Sequence, residues 1–223
     1  MSKKILAIQG SSLSRVNTET DTTLFLGLEA QKKGYQIYYY EPQDLSFLDG
    51  KVIAKCIHLT FFENTKKFYK INKRLNFDLS KARVLLIRNE PPFNQQYINS
   101  TFILEHVANK VKIINHPKAI REVPEKLFSI RLIRYMPSTL ISENIDEIKS
   151  FFKKNKKVIV KPVNGYSGNE VILLKSFNNK IISKYLKKYN HVIFQKFLPK
   201  ISNGDRRVFI INGKVKGSIT RVP

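Results

Sequence analysis

The chain is short of sulfur, of acidic side chains and of long apolar runs, and each shortage excludes something. A single cysteine among 223 residues, Cys56, rules out an internal disulfide and suits a reducing compartment such as the cytosol. Cys56 sits within an apolar run, where a thiol is more often a small buried residue than a nucleophile. No stretch approaches the ~20 consecutive apolar residues needed to span a bilayer, so no membrane-embedded role is expected. The first ten residues carry two lysines and an apolar run of only four residues before Gln9. That is too short for a signal peptide and reads as a first strand. There is no internal repeat and no low-complexity linker.

Acidic residues number 17 against 40 Lys and Arg, giving a net charge of +23. Such an excess points to a polyanionic partner such as nucleic acid, and the run Lys66-Lys67-Phe68-Tyr69-Lys70-Ile71-Asn72-Lys73-Arg74 interleaves aromatics with bases. The competing reading is a solvated, lysine-rich surface. Lys, Asn and Ile are abundant along the whole chain and the charge is not gathered in one tail, which favours the solvated surface. At 42% hydrophobic residues the chain is globular, with length for one large or two small domains.

In order, residues 4–8 form a strand and 9–17 a polar loop. Asp21 caps a helix to about residue 33, with Leu24, Leu28 and Gln31 on one face and Gly34 as its stop. Residues 37–40 are the next strand, so the opening is strand–helix–strand and implies a parallel sheet. Residues 47–48, Asp49-Gly50 and 52–59 read as a hairpin; residues 61–76 resist assignment. Residues 84–87 are a buried strand ending in Arg88-Asn89-Glu90-Pro91-Pro92-Phe93. An arginine just past the carboxyl end of a central strand lies where open α/β sheets bind ligands, and its fork suits a carboxylate. Pairing with Glu90 is the plainer alternative.

Further on, residues 95–109 read as a helix and 111–115 as a strand. Residues 122–135 read as a helix in which Lys126 lies near the amino end, where its charge opposes the helix dipole; a bound polyanion or a solvated side chain would each explain it. After a short strand at 139–141, Asn144-Ile145-Asp146-Glu147 reads as a capping box for a helix to about residue 154. Helix 178–188, strand 192–197, a turn at 203–207 and a hairpin of 208–211 with 214–222 about Asn212-Gly213 complete the chain.

The second half is organised around residues 158–170, Val-Ile-Val-Lys-Pro-Val-Asn-Gly-Tyr-Ser-Gly-Asn-Glu. A buried strand runs into Lys161 and Pro162, then a loop with Gly165 and Gly168, then a second strand at 171–175. Pro162 ends the ladder, the glycines let backbone N–H groups turn toward an anion, and Lys161 places a charge beside it. A phosphate lid and an ordinary hairpin fit these residues equally, because the loop lacks the Lys-Ser/Thr ending of a P-loop and no helix follows it directly.

Taken together, these segments resemble bacterial glutathione synthetase, a family of ATP-grasp ligases. The likeness runs over residues 4–223. It is carried by Leu28-Glu-Ala-Gln-Lys-Lys-Gly-Tyr35, by Arg88 with Pro91-Pro92-Phe93, and by Asn115-His116-Pro117 with Arg121 and Glu125-Lys-Leu-Phe128. It continues through Ile159-Val-Lys-Pro162 with Asn164, Gly165 and Gly168, then Gln195-Lys-Phe-Leu-Pro199, Gly204-Asp-Arg-Arg207 and Arg221-Val-Pro223. The resemblance implies an α/β fold: an N-terminal parallel-sheet substrate domain at 1–122, an ATP-grasp lid domain at 123–197, and at 198–223 the first hairpin of the large ATP-grasp domain. It implies ATP-dependent joining of γ-glutamylcysteine to glycine through an acylphosphate, with magnesium neutralising the phosphoryl charge.

The family's residue roles then fall as follows. Lys126 and Lys161 would contact ATP phosphates. The backbone of Asn164, Gly165, Tyr166, Ser167, Gly168 and Asn169 would close over them, in a loop that is richer in glycine in the family. Gln195, Lys196, Phe197 and Leu198 would hold adenine, with Asp205 also at the nucleotide. Arg207 and Arg221 would face the transferring phosphoryl group as catalytic cations, and Arg88 would hold the peptide carboxylate. Complete relatives continue by roughly another domain, on the order of 100 residues, carrying a glycine-rich substrate loop and the acidic and asparagine ligands of magnesium. The chain is therefore expected to be a truncated, split or incompletely read product without metal ligands, binding ATP weakly and not turning over alone. A homo-oligomer is implied for the complete enzyme. An inactive ATP-binding or subunit-interaction fragment is the alternative, with a basic nucleic-acid binder behind it.

Overall fold

The computed structural model describes residues 4–64, 66–166 and 168–222. They fall into two compact units, Met1–Phe128 and Ser129–Pro223. The first is built on a seven-stranded mixed sheet. Strands β1 (Ile5–Gly10), β2 (Gln36–Tyr40), β6 (Val84–Arg88) and β7 (Lys112–Ile114) run parallel. The long β4 (Lys51–Phe61) adds antiparallel to β2, with β3 (Leu45–Leu48) also antiparallel to β4. All six residues of β1 are buried. Ile5 and Ala7 pack with Leu104 and Val107 on one face, and Leu6 and Ile8 with Leu24 and Leu28 on the other. A strand covered on both faces needs an unbroken apolar run rather than alternation, which is what its sequence shows.

The helices that cover this sheet start where the sequence caps them. Asp21 accepts hydrogen bonds from the N–H groups of Thr23 (2.6 Å) and Leu24 (3.0 Å) at the start of α1 (Thr22–Lys32), and Gly34 leaves it at φ 78°. Gln31 clamps α1 to β4: its Nε2 donates to Phe61 O at 3.0 Å and its Oε1 accepts from Phe61 N at 2.7 Å. Asn94 caps α2 (Gln95–Glu105), on the opposite face. The Asp49-Gly50 turn forms as expected, with φ of 46° and 80°.

Two segments depart from the sequence reading. Residues 61–76 hold the end of β4 and most of β5 (Tyr69–Asp78), paired antiparallel to it. The register skips Asn72 between His58↔Lys73 and Leu59↔Ile71, so the period-2 pattern shifts part-way along β5 and hides the strand. Phe68 and Tyr69 pack on the buried cluster around Leu59 and Phe61 instead of forming an exposed stacking platform among the lysines. The helix expected over 122–135 is broken. Pro124 takes its preceding residue out of helical geometry (Val123 φ −120°, ψ 60°), leaving α3 (Pro117–Glu122), α4 (Glu125–Phe128) and a 3-10 turn, Ser129–Tyr135, kinked at Leu132.

The second unit contains a four-stranded antiparallel sheet in the order β10-β9-β11-β8: β8 is Thr139–Ser142, β9 Val158–Pro162, β10 Ile172–Leu174 and β11 Val192–Lys196. Helices α5 (Ile145–Lys154) and α6 (Asn179–Tyr189) bury Ile148, Phe152 and Ile182 against Val158, Val160, Val192 and Phe194. Asn144 caps α5 as expected, accepting from the N–H groups of Asp146 and Glu147. The reciprocal arm of the box differs. Glu147 bonds Ser142 Oγ at 2.7 Å, and Ser142 Oγ in turn accepts from Asn144 N at 2.9 Å, so a strand residue inserts itself into the cap. A 3-10 turn (Pro199–Asn203) leads to the hairpin of β12 (Asp205–Ile211) and β13 (Lys214–Arg221), turned by Asn212 and Gly213 at φ 51° and 73°.

Candidate functional site

In the first unit, polar side chains gather at the carboxyl ends of β1 and β6, where an open α/β sheet binds ligands. A cleft of ≈ 330 Å³ opens there, lined by Ser11, Arg15, Glu41, Asn89, Pro91 and Tyr97 among others. Gly10, just before Ser11, is a glycine by necessity: a Cβ at that position would lie 2.0 Å from the Tyr39 hydroxyl, which donates to Ser11 O at 2.5 Å. Gln9 is fully buried beneath, its Nε2 bonded to Asn89 Oδ1 at 3.0 Å. Sequence reasoning passed over Gln9; the available signal was an amide inside an otherwise apolar strand. Arg88 is exposed at the end of β6, and its Nε donates to Thr23 Oγ1 on α1 at 3.1 Å. Among the described residues it forms no ion pair with Glu90, whose N–H instead donates to Ser11 Oγ. Lys126 also lies in this unit, on the four-residue α4, and burial pushes its ammonium pKa down.

In the second unit, the alternation of β9 and β11 divides the sheet. Val158, Val160, Val192 and Phe194 face the helices; Ile159, Lys161, Ile193 and Gln195 take the opposite face. On that face runs a line of polar contacts. Lys161 Nζ donates to Gln195 Oε1 at 2.7 Å, Gln195 Nε2 to Thr139 Oγ1 at 2.9 Å, and Thr139 Oγ1 to Pro137 O at 2.7 Å. Two of these side chains were expected from the sequence; Thr139 was not. The next residues of β11 are already engaged through their backbones. Lys196 N donates to Ser138 O and Phe197 N to Lys157 O, both at 2.9 Å, so neither N–H points outward, while Leu198 is exposed.

The loop after β9 is pinned at both ends. Gly165 N reaches Pro162 O at 3.4 Å, Asn169 N bonds Tyr166 O, and Val171 N bonds Gly168 O. Of its two glycines only Gly168 needs a positive φ, 73°. Asn164 and Tyr166 are exposed; Ser167 lies outside the described residues. Glu170, itself at φ 59°, is tied to α6 by Tyr185 Oη donating to Glu170 O (3.0 Å) and by an ion pair with Lys188, which lowers the Glu170 pKa.

The hairpin collects three of the expected residues around one carboxylate. Asp205 takes the Arg221 fork, Nε at 3.1 Å and Nη2 at 2.9 Å, with Arg207 Nε at 3.9 Å. Gly204, at φ 95°, makes this approach possible, since a Cβ there would sit 2.3 Å from Arg221 O.

These pieces match one family along the chain. The model of the prokaryotic glutathione synthetase N-terminal domain matches residues 5–121, and that of the prokaryotic glutathione synthetase ATP-grasp domain matches residues 125–223. The chain belongs to the prokaryotic glutathione synthetase family. It is 33% identical over 222 residues to the glutathione synthetase of Bradyrhizobium diazoefficiens, covering 98% of this chain and 71% of that protein. With the Buchnera aphidicola (subsp. Acyrthosiphon pisum) enzyme the figures are 35%, 96% and 69%. Among solved structures, a D-cycloserine synthetase superposes with a TM-score of 0.66 at 14% identity over 98% of this chain and 68% of its own. The D-alanyl-alanine synthetase A of Vibrio cholerae gives 0.59 at 14% identity over 96% and 65%. At such identities these two show a shared ATP-grasp fold only. Membership of the glutathione synthetase family makes the protein an ATP-dependent ligase.

A larger hollow, ≈ 670 Å³, runs along β4 and β5 beside Tyr40, Lys55, Cys56 and Arg74, and none of the residues expected to hold nucleotide or peptide lines it. Cys56 is buried, and burial pushes its thiol pKa up to about 12. With so little thiolate, alkylation of the native protein at pH 8 is expected to be slower than that of the urea-unfolded chain by on the order of 1,000-fold. Mass spectrometry after timed exposure to iodoacetamide checks this; equal rates would mean the thiol is open and ionised. Among the described residues no helix is long and apolar enough to cross a membrane.

Proposed function

We propose that this chain supplies the peptide-substrate and nucleotide-binding surfaces of a glutathione synthetase, which joins γ-glutamylcysteine to glycine at the expense of ATP. The observation that carries this reading is the line Lys161–Gln195–Thr139 on the face of the second sheet opposite α5 and α6. It fixes an ammonium beside a glycine loop, in a chain whose family uses ATP. On this reading, Lys161 and Lys126 bind phosphates, the loop from Asn164 to Asn169 closes over them, and Gln195 through Leu198 border the adenine. Because the N–H groups of Lys196 and Phe197 are occupied, the purine would be met by carbonyls, by the Leu198 backbone and by side chains. Asp205 holds Arg207 and Arg221 as a pair of cations for the transferring phosphoryl group, where fixed positive charge stabilises developing negative charge.

Arg88 takes the peptide carboxylate at the carboxyl end of the first sheet, and Thr23 holds its Nε so that the outer edge of the fork faces the ligand. The same reading divides the chain into a substrate domain at 1–122, a lid at 123–197 and the start of the large domain at 198–223, within a cytosolic homo-oligomer that works with magnesium. Among the described residues no group of three or more His, Cys, Asp or Glu side chains could hold a metal ion. Magnesium in nucleotide enzymes is held by one or two carboxylates together with the phosphates themselves, and no residue of this chain is assigned as its ligand.

Arg88→Lys tests the substrate half. Lysine keeps the charge and loses the two-pronged geometry. In the full enzyme, glutathione formation should show KM for γ-glutamylcysteine raised about tenfold with KM for ATP unchanged. A selective rise in KM for ATP, or preference for another amino-acid pair, would overturn the reading.

A further inference from the structure

We propose, on the reading of Lys161 as a phosphate contact, that Thr139 is a positioning residue for Lys161, acting through the side-chain amide of Gln195. Gln195 stands directly opposite Thr139 across β11 and β8. Lys161 stands opposite Ile193 across β9 and β11, which makes it a diagonal neighbour of Gln195. Thus the three side chains line up across three strands of a rigid sheet.

The two ends of the line have fixed polarity. An ammonium can only donate and a carbonyl can only accept. With Pro137 O at one end, the single hydroxyl proton of Thr139 points to it, and the Thr139 oxygen is left to accept from Gln195 Nε2. That sets the amide with Oε1 toward Lys161 Nζ. A flipped amide would place its NH2 against the ammonium and its oxygen against a hydroxyl whose proton is already committed. Both contacts would then be mismatched. A hydroxyl two strands away therefore decides which end of Gln195 the lysine meets, and so where the ammonium waits before nucleotide arrives. Groups held in place before binding lose less freedom on binding.

Thr139→Val keeps the branched shape and removes the hydroxyl; Thr139→Ser keeps the hydroxyl and removes a methyl. Binding of a fluorescent ATP analogue to the full chain is expected to weaken about tenfold in the valine variant and to stay within about twofold in the serine variant. In a Lys161→Ala background, adding Thr139→Val should change nothing further. Wild-type affinity in Thr139→Val overturns the proposal. So does an undiminished loss in the Lys161→Ala background, because a merely structural role would still weaken binding there. A readout without nucleotide separates this proposal from the functional reading beneath it. The side-chain NH2 resonances of Gln195 should be shifted and slow to exchange with water in wild type and Thr139→Ser, and released in Thr139→Val. If Lys161→Ala leaves ATP binding intact, the phosphate role of Lys161 fails and Thr139 positions no nucleotide contact. If the Gln195 resonances are identical in Thr139→Val, the relay itself fails, whatever ATP does. Should the valine variant not fold, Thr139→Ala carries the same comparison.

Discussion

Lys161→Ala is expected to weaken binding of a fluorescent ATP analogue by on the order of 10- to 100-fold, while Lys156→Ala stays within about twofold. Both substitutions remove one positive charge from the same unit, so a general electrostatic attraction would feel them about equally, and salt would screen both. Their surroundings differ. Lys156 is exposed in the bend between α5 and β9. Lys161 is half-buried on β9, with its ammonium held by Gln195 at 2.7 Å. A fixed, partly desolvated cation interacts with phosphate more strongly than a mobile one in water. Equal effects of the two alanines in a titration would mean that the chain attracts anions through its net charge and has no phosphate site at Lys161.

Phe194→Ala should unfold the second unit's core and leave the first intact. Phe194 is fully buried, stacks edge-on with Phe152 at 6.3 Å, and packs among Val158, Val160 and Ile182. Truncating such a ring costs about 3–5 kcal/mol, a large share of the ~5–15 kcal/mol that holds a typical domain together. None of the clusters around β1 includes a residue of the second unit. Hydrogen exchange read by mass spectrometry should therefore show protection lost in β8, β9 and β11 and kept in β1, β2 and β6. Equal loss across both units would show that the two cores melt as one.

Much of the architecture could be read before any coordinates because local chemistry dictates it. Asp21 and Asn144 cap the helices that follow them. Asp49-Gly50 and Asn212-Gly213 turn the hairpins, since few other pairs tolerate two positive φ angles in succession. Arg88 could be placed at the carboxyl end of β6 because a buried apolar run must stop where a charge begins. Where the reading stopped short, a distant partner was the cause. β5 was hidden by one skipped residue in its register with β4. The reciprocal arm of the α5 cap was displaced by Ser142 from the preceding strand. The break at Pro124 was local and was missed against the helical spacing of Leu127 and Ile130.

By itself, then, the sequence determined most strands, most helix starts, the turns and the family, because caps, turn residues and apolar periodicity act over a few neighbours and motif order survives without any contact being known. Only the tertiary structure decided which polar side chains meet. Lys161, Gln195 and Thr139 span 56 residues of chain, and Asp205 and Arg221 are joined only by the register of a hairpin. Strand pairing sets these encounters. A side chain's partner across a sheet is chosen by register, and register depends on burial and backbone hydrogen bonding summed over whole strands.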